Sequence, residues 1–234
     1  MNILKETYLK ILKLDDSLIL ESFEVVSLVN EYREYWKPKQ VKTILLAESH
    51  VFTTEMETEI IHSVSLPDYP SKYVRFVYNL SYGQMNTLLQ SVNNNGGTPQ
   101  YWKLFNEISG KDFRVINNRN IDDKLNQKIK LLEFLKENGV WLLDCSIVGL
   151  YNNGEKPSYK TMQKILKTSF SNFCVPVISK EMPDNILVIG KSVFDLIADE
   201  LVHLNANVDW IHQPNAKISG EKRKDITKIK LQLI

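Results

Sequence analysis

The residues able to do chemistry gather in three short stretches: Ala47-Glu48-Ser49-His50, Asp144-Cys145-Ser146 and His212-Gln213-Pro214-Asn215. Each follows an apolar run, so each stands where a buried strand would leave a sheet. Two histidines, His50 and His212, and two carboxylates, Glu48 and Asp144, are suited to acid–base or electrostatic work on a substrate. The same four could offer a metal two nitrogens and two carboxylates. None stands at the i,i+4 or short-loop spacing of recognisable metal sites, so no metal is expected. A serine hydrolase needs a Gly-x-Ser-x-Gly elbow, and nucleotide-phosphate loops need a glycine-rich turn after a strand. Neither pattern occurs. His62 and His203 fall within helical patterns and are expected at the surface or the core edge.

The elements that must position these groups are legible from periodicity. Four apolar runs, Val41 to Ala47, Gly139 to Cys145, Ile186 to Gly190 and Val208 to His212, read as strands buried on both faces. Between them lie helical patterns over Asp122 to Asn138, Tyr159 to Phe170 and Ser192 to Leu204. Gly190-Lys191-Ser192 reads as a tight strand-to-helix turn. Strand and helix in alternation predict an α/β protein, a three-layer α/β/α sandwich around a four-stranded, mostly parallel sheet. Two amphipathic helices are expected before the first strand, up to Lys37-Pro38-Lys39, and a basic one from Ser219 to 234. In such a sheet, ligands sit beyond the carboxyl ends of the strands. The three loaded exits should therefore converge on one edge.

Composition bounds the possibilities. The chain has 234 residues, with 29 Lys+Arg against 28 Asp+Glu and a net charge of +1. That length supports one domain with a core of its own over 1–234, comprising N-terminal helices over 1–38, a core over 40–220 and the terminal helix. The charge balance means that attraction for a polyanion must come from a local patch. Two cysteines, Cys145 and Cys174, are too few for a disulfide framework or a four-thiolate iron–sulfur cluster. With no signal layout and no apolar run long enough for a bilayer, a cytoplasmic protein without membrane contact is expected.

The stretch from Ser65 to Ser109 reads as a long insertion marked by turns at Pro67, Pro70, Asn93-Asn94-Asn95-Gly96-Gly97 and Pro99. Its aromatics, Tyr69, Tyr73, Phe76, Tyr78, Tyr82, Tyr101 and Trp102, are expected mostly to pack a helical layer onto the sheet.

The three exits resemble the signatures of the uracil-DNA glycosylase superfamily, which carries G-Q-D-P-Y-H or G-E-A-P-G after its first strand and H-P-S-P after its last. Gly139-Val140-Trp141-Leu142-Leu143-Asp144 is similar to that family's G-V-L-L-L-N strand. Order, spacing and layout agree over about residues 40 to 220. The resemblance implies a DNA glycosylase acting on a base flipped from the stack, with DNA as its partner; no cofactor and a monomeric form are expected. As the N-glycosidic bond breaks, the sugar gains positive and the departing base negative charge. His212 is then the expected donor to the base, and Glu48 the carboxylate that orients water beside the sugar. Ser49 falls where the family has its water-activating aspartate, so Glu48 or His50 must take that task. Gln213 replaces a proline in the last motif.

Asp144 bears on which base is read. The family's asparagine reads uracil with one donor and one acceptor, whereas aspartate offers acceptors only. Facing uracil O4 it would leave a buried mismatch of about 1–3 kcal/mol. Facing cytosine it can accept from the N4 amino group, while cytosine N3 then requires a proton from somewhere. Removing ordinary cytosine would destroy the host genome, so a C5-substituted cytosine of foreign or phage DNA is the expected substrate. Stacking on the base is expected from Phe52, Phe76, Tyr78 or Tyr82. Ser49, Asn215, Lys217, Ser219, Lys222 and Arg223, together with Gly220, Lys224 and Lys228, are expected along the DNA backbone. Three alternatives are a uracil-DNA glycosylase of base-excision repair, a non-catalytic nucleic-acid-binding relative, and a metal-assisted hydrolase using Glu48, His50, Asp144 and His212.

Overall fold

The computed structural model describes residues 2–15, 18–115, 120–152, 155–222 and 224. Four strands, β1 (Thr43–Ala47), β2 (Val140–Asp144), β3 (Asn185–Ile189) and β4 (Asn207–Ile211), form one sheet in the order β2-β1-β3-β4. All three pairings are parallel, where a mostly parallel sheet was expected. β1 and β2 are buried at every position and β3 at all but its first, as continuous apolar runs flanked by helices should be. β4 corrects the expectation of burial on both faces. It is an edge strand whose Asn207 and Asp209 are exposed and of which only Ile211 is buried. The other edge, β2, is covered: the Leu142 amide donates to the Tyr78 hydroxyl at 2.8 Å, and Trp141 Nε1 donates to the Arg33 carbonyl at 2.8 Å.

Helices α1 (Ile3–Leu12) and α2 (Phe23–Tyr35) precede the sheet, each closed by a side-chain cap from Asn2 or Ser22. A short α3 (Glu55–Thr58) follows β1, then α4 (Pro99–Ser109) and α5 (Ile121–Glu137) lead to β2. After β2 come α6 (Tyr159–Ser169), a π-helical turn over Phe170–Cys174, and α7 (Val175–Glu181). The widened turn lies just before Pro176, whose ring would otherwise meet the carbonyl four residues back. α8 (Lys191–Leu201) joins β3 to β4 through Gly190, at φ 109° and against Gln213, where a side chain would sit 2.9 Å from Gln213 Cγ.

From β1 the chain crosses to β2 on one side, and from β3 to β4 on the other. Right-handed crossovers then put α5 and α8 on opposite faces and open a crevice at the carboxyl ends of β1 and β3.

The 65–109 insertion differs from expectation. Before α4 it carries only a 3-10 turn, Met85–Thr87, rather than a helical layer. Its aromatics are nonetheless buried, apart from a half-buried Tyr101. Hydroxyls do the work that helix geometry would have done: Tyr69 donates to the Tyr78 carbonyl and accepts from the Leu80 amide. His62 also departs from expectation. It is buried in an isolated bridge with Leu88, its Nε2 lying 2.8 Å from the Tyr32 hydroxyl, whereas His203 is exposed. The terminal helix expected from Ser219 lies mostly outside the described residues, as do Arg223 and Lys228. No helix among the described residues is long and apolar enough to cross a membrane.

Candidate active site

The crevice holds a cavity of about 230 Å³ whose wall draws on all four strand exits. Glu48, Ser49 and His50 enter from β1, Asp144 from β2, Ile189 from β3, and Gln213 to Asn215 from beyond β4. Arg75, Phe76 and Val77 of the insertion, Thr98, Gln100 and Tyr101 at the start of α4, and Tyr151 also line it. The convergence expected of the exits is thus present in space, though not for every residue named.

Beneath the cavity runs a chain of buried charges. Arg33 donates to Asp144 Oδ2 at 2.8 Å, both side chains being 2% exposed. His50 Nδ1 stands 3.7 Å from the same oxygen, an ion-pair distance too long for a hydrogen bond. On its other side His50 Nε2 donates to Glu21 Oε2 at 2.8 Å. Glu21 further accepts from the amides of Thr53 (2.6 Å) and Gly149 (2.7 Å). Gly149 must be glycine, since a Cβ there would lie 2.6 Å from the Phe52 backbone. Two cations and two anions alternate, so the row is neutral as a whole, which is what burial of charge requires.

Protonation follows from this order. Burial disfavours a charged imidazole, yet Glu21 and Asp144 outweigh it and raise His50 to about 9. Burial pushes Asp144 upward, but His50 and Arg33 win and hold its carboxyl below the ordinary range. At neutral pH, then, His50 is an imidazolium with both ring nitrogens protonated, and Asp144 is a carboxylate. Because the unfolded imidazole titrates near 6.5, His50 stabilises the fold fully below about pH 6.5 and loses that contribution as pH rises through about 9. An imidazole titration by NMR should place the His50 midpoint near 9. A midpoint near 6.5 would show that neither carboxylate engages it.

Glu48 stands apart from this row. It is half-buried on the cavity wall, and its Oε2 accepts from the Tyr151 hydroxyl at 2.6 Å. Burial, then the Glu48 charge, keep the Tyr151 proton in place. Burial, then Asp144 and Glu48, do the same for Tyr101. The cavity thus presents two carboxylates, one imidazolium, the Arg75 guanidinium paired with Glu57, and two neutral phenols against apolar Phe76, Val77, Leu142 and Ile189.

Other residues singled out from the sequence lie elsewhere. His212 does not line the cavity; its ring packs edge-on against Trp210, with centroids 5.1 Å apart. Of the four aromatic candidates only Phe76 lines it. Tyr78 is spent on the β2 edge, Tyr82 belongs to a separate cluster with Tyr73, and Phe52 contributes backbone to Tyr151. Lys217, Ser219 and Lys222 lie beyond the cavity-lining Asn215, the two lysines exposed and Ser219 exposed with them. Among the described residues, no three His, Cys, Asp or Glu side chains are grouped to hold a metal.

Sequence reasoning missed Glu21, Arg33, Tyr101 and Tyr151. For Arg33 a signal existed: it follows Val25 and Val29 at four-residue steps, which places a guanidinium on the buried stripe of α2.

No family profile and no curated protein matches the chain. Among solved structures it is similar to the wild-type UNG crystal structure from Nitratifractor salsuginis, at 14% identity and a TM-score of 0.35 over 80% of this chain and 70% of that one. A tyrosine-to-glycine mutant of the same protein gives 14% identity and a TM-score of 0.36, over 81% and 73%.

Proposed function

We propose that the protein is a DNA N-glycosylase that hydrolyses the glycosidic bond of a flipped-out, cytosine-like base. The observation that carries this reading is the pairing, on one cavity wall, of an ionised Asp144 with a protonated His50 whose Nδ1 is buried without a hydrogen-bond partner. An acceptor beside a donor matches the cytosine edge: Asp144 accepts from the N4 amino group, and the His50 Nδ1–H faces N3. The proton that a carboxylate reader lacks is thereby supplied by a neighbour. Uracil presents O4 and N3–H in the reverse order and would meet like against like.

Catalysis divides among the remaining groups. Glu48, held by Tyr151, orients water and stabilises the cationic sugar. Charge gathering on the departing base is met by the imidazolium and by the amides of Gln213 and Asn215, in place of the displaced His212. Phe76 supplies the stacking face. A C5 substituent distinguishes the substrate from host cytosine, and a role against foreign DNA follows from that chemistry.

The test is release of free base, read by mass spectrometry, from duplexes carrying uracil, cytosine or a C5-substituted cytosine, with chelator present. Release of the substituted cytosine is expected. Release of uracil alone overturns the reading of Asp144, and no release from any duplex overturns the enzyme. Asp144→Asn keeps an acceptor for Arg33 and should move the ratio of uracil to cytosine release by roughly tenfold or more. An unchanged ratio in a variant that melts cooperatively sinks the assignment of Asp144 to the base edge.

A further inference from the structure

Beside the base cavity lies a second, smaller one of about 60 Å³, lined by Lys124 and Lys128 of α5, Trp102 of α4, and Gly83, Gly97 and Thr98. That is several times the roughly 10–15 Å³ one water needs. Lys128 is 2% exposed, and its Nζ lies 4.5 Å from the centre of the Trp102 ring. No carboxylate pairs with it among the described residues. An ammonium so placed is costly unless an anion shares the site. Burial, then repulsion from Lys124, push Lys128 down to about 7, which is the response of two cations turned toward one small space.

The glycines keep that space clear. Gly83 and Gly97 both have positive φ, at 81° and 67°, and a Cβ on either would come within 2.8 Å of the other's Cα. Their loops are tied by Asn95, whose Oδ1 accepts from the Gly83 amide at 2.7 Å and from the Tyr73 hydroxyl at 2.9 Å. Thr98 lines both cavities, and its Oγ1 is buried without a partner. Thr98 is thus common to the linings of the two cavities, which places the lysine-lined one next to the base cavity.

We infer that the Lys124–Lys128 cavity binds a phosphate of the DNA backbone next to the nucleotide whose base enters the larger cavity. The inference rests on the proposed glycosylase reading for its ligand, and on the two lysines and the shared Thr98 for its place. Two ammonium groups and a hydroxyl around a glycine-lined hollow suit a tetrahedral oxyanion better than a planar carboxylate clamp, which favours guanidinium. The site would hold the flipped nucleotide by its backbone without reading its sequence.

The experiment is the salt dependence of binding of a fluorescent oligonucleotide carrying one C5-substituted cytosine to the full chain, to Lys128→Met and to Lys124→Gln. Exposed Lys160→Gln serves as a control for loss of one surface charge. Methionine keeps the packing on Trp102 and removes a buried charge, so Lys128→Met should melt at a higher temperature than wild type. Its binding should weaken several-fold, and the slope of log K against log salt should shrink by about 0.7 to 0.9, the signature of one phosphate contact. Lys160→Gln should leave the slope unchanged. A wild-type slope in Lys128→Met overturns the inference, including when 31P NMR shows that variant losing inorganic phosphate, since the cavity would then serve a free ion and not DNA. Base release is read on the same samples. A reduced slope in a protein that releases no base leaves the phosphate site standing and removes the enzyme, while normal release with an unchanged slope does the reverse.

Discussion

Glu48→Gln is expected to lower the rate of base release by about 10²- to 10⁴-fold, the usual range for losing a positioned general base, with DNA affinity held within a few-fold. The glutamine has the same size and can still accept from the Tyr151 hydroxyl, now 2.6 Å from Glu48 Oε2, so the wall keeps its shape. On the proposed reading, what disappears is the negative charge beside the sugar and the capacity to take a proton from water. No other ionised carboxylate on the wall can substitute. Asp144 is committed to Arg33, and Glu21 lies beneath His50 and two backbone amides. Single-turnover base release and anisotropy binding on the same preparation separate chemistry from affinity. A variant that releases base at the wild-type rate would remove Glu48 from the mechanism and leave water to be activated by some group outside the cavity wall described.

Arg33→Met is expected to destabilise the fold by about 3–5 kcal/mol, the cost of leaving a buried charge without its partner. Asp144 would retain only the imidazolium at 3.7 Å, in a site where burial already works against its ionisation. The Arg33 guanidinium also lies 5.2 Å from the centre of the Phe76 ring, so the same change loosens the expected stacking face. Pairing the substitution with Asp144→Asn should recover much of the loss, because removing both members of a buried pair is far less costly than removing one. Urea denaturation of the wild type, both single variants and the double variant measures that coupling. Additive single effects would mean that Arg33 and Asp144 do not sense each other, and the alternating row of charge would have to be redrawn.

These two residues also mark where reading the sequence stops. Glu48 follows an apolar run and could be placed at a strand exit by periodicity alone. Arg33 acts on Asp144 across 111 positions of sequence, and Glu21 reaches His50 across 29, with no motif joining either pair. Tyr101 was visible only as one aromatic among several, since its neighbours Trp102, Leu104 and Phe105 carry the buried face of α4. The insertion departs from the expected helical layer for a related reason: aromatic density signals burial, but not the backbone path by which burial is reached.

By itself the sequence determined the α/β alternation, the four strands and which loops leave them, because continuous apolar runs bounded by turn residues have few ways to be buried. That was enough to bring Glu48, His50, Asp144 and Asn215 to one edge of the sheet. Only the tertiary structure decided which side chains face the cavity and in what charge state. His212 leaves its strand at the expected place and is nevertheless turned onto Trp210, because the side chain takes the best local packing and the strand register sets only its Cα. Asp144 and His50 are ionised because buried charge must be neutralised nearby, and the neutralising groups came from α2 and the segment before it, which local pattern cannot assign to a site.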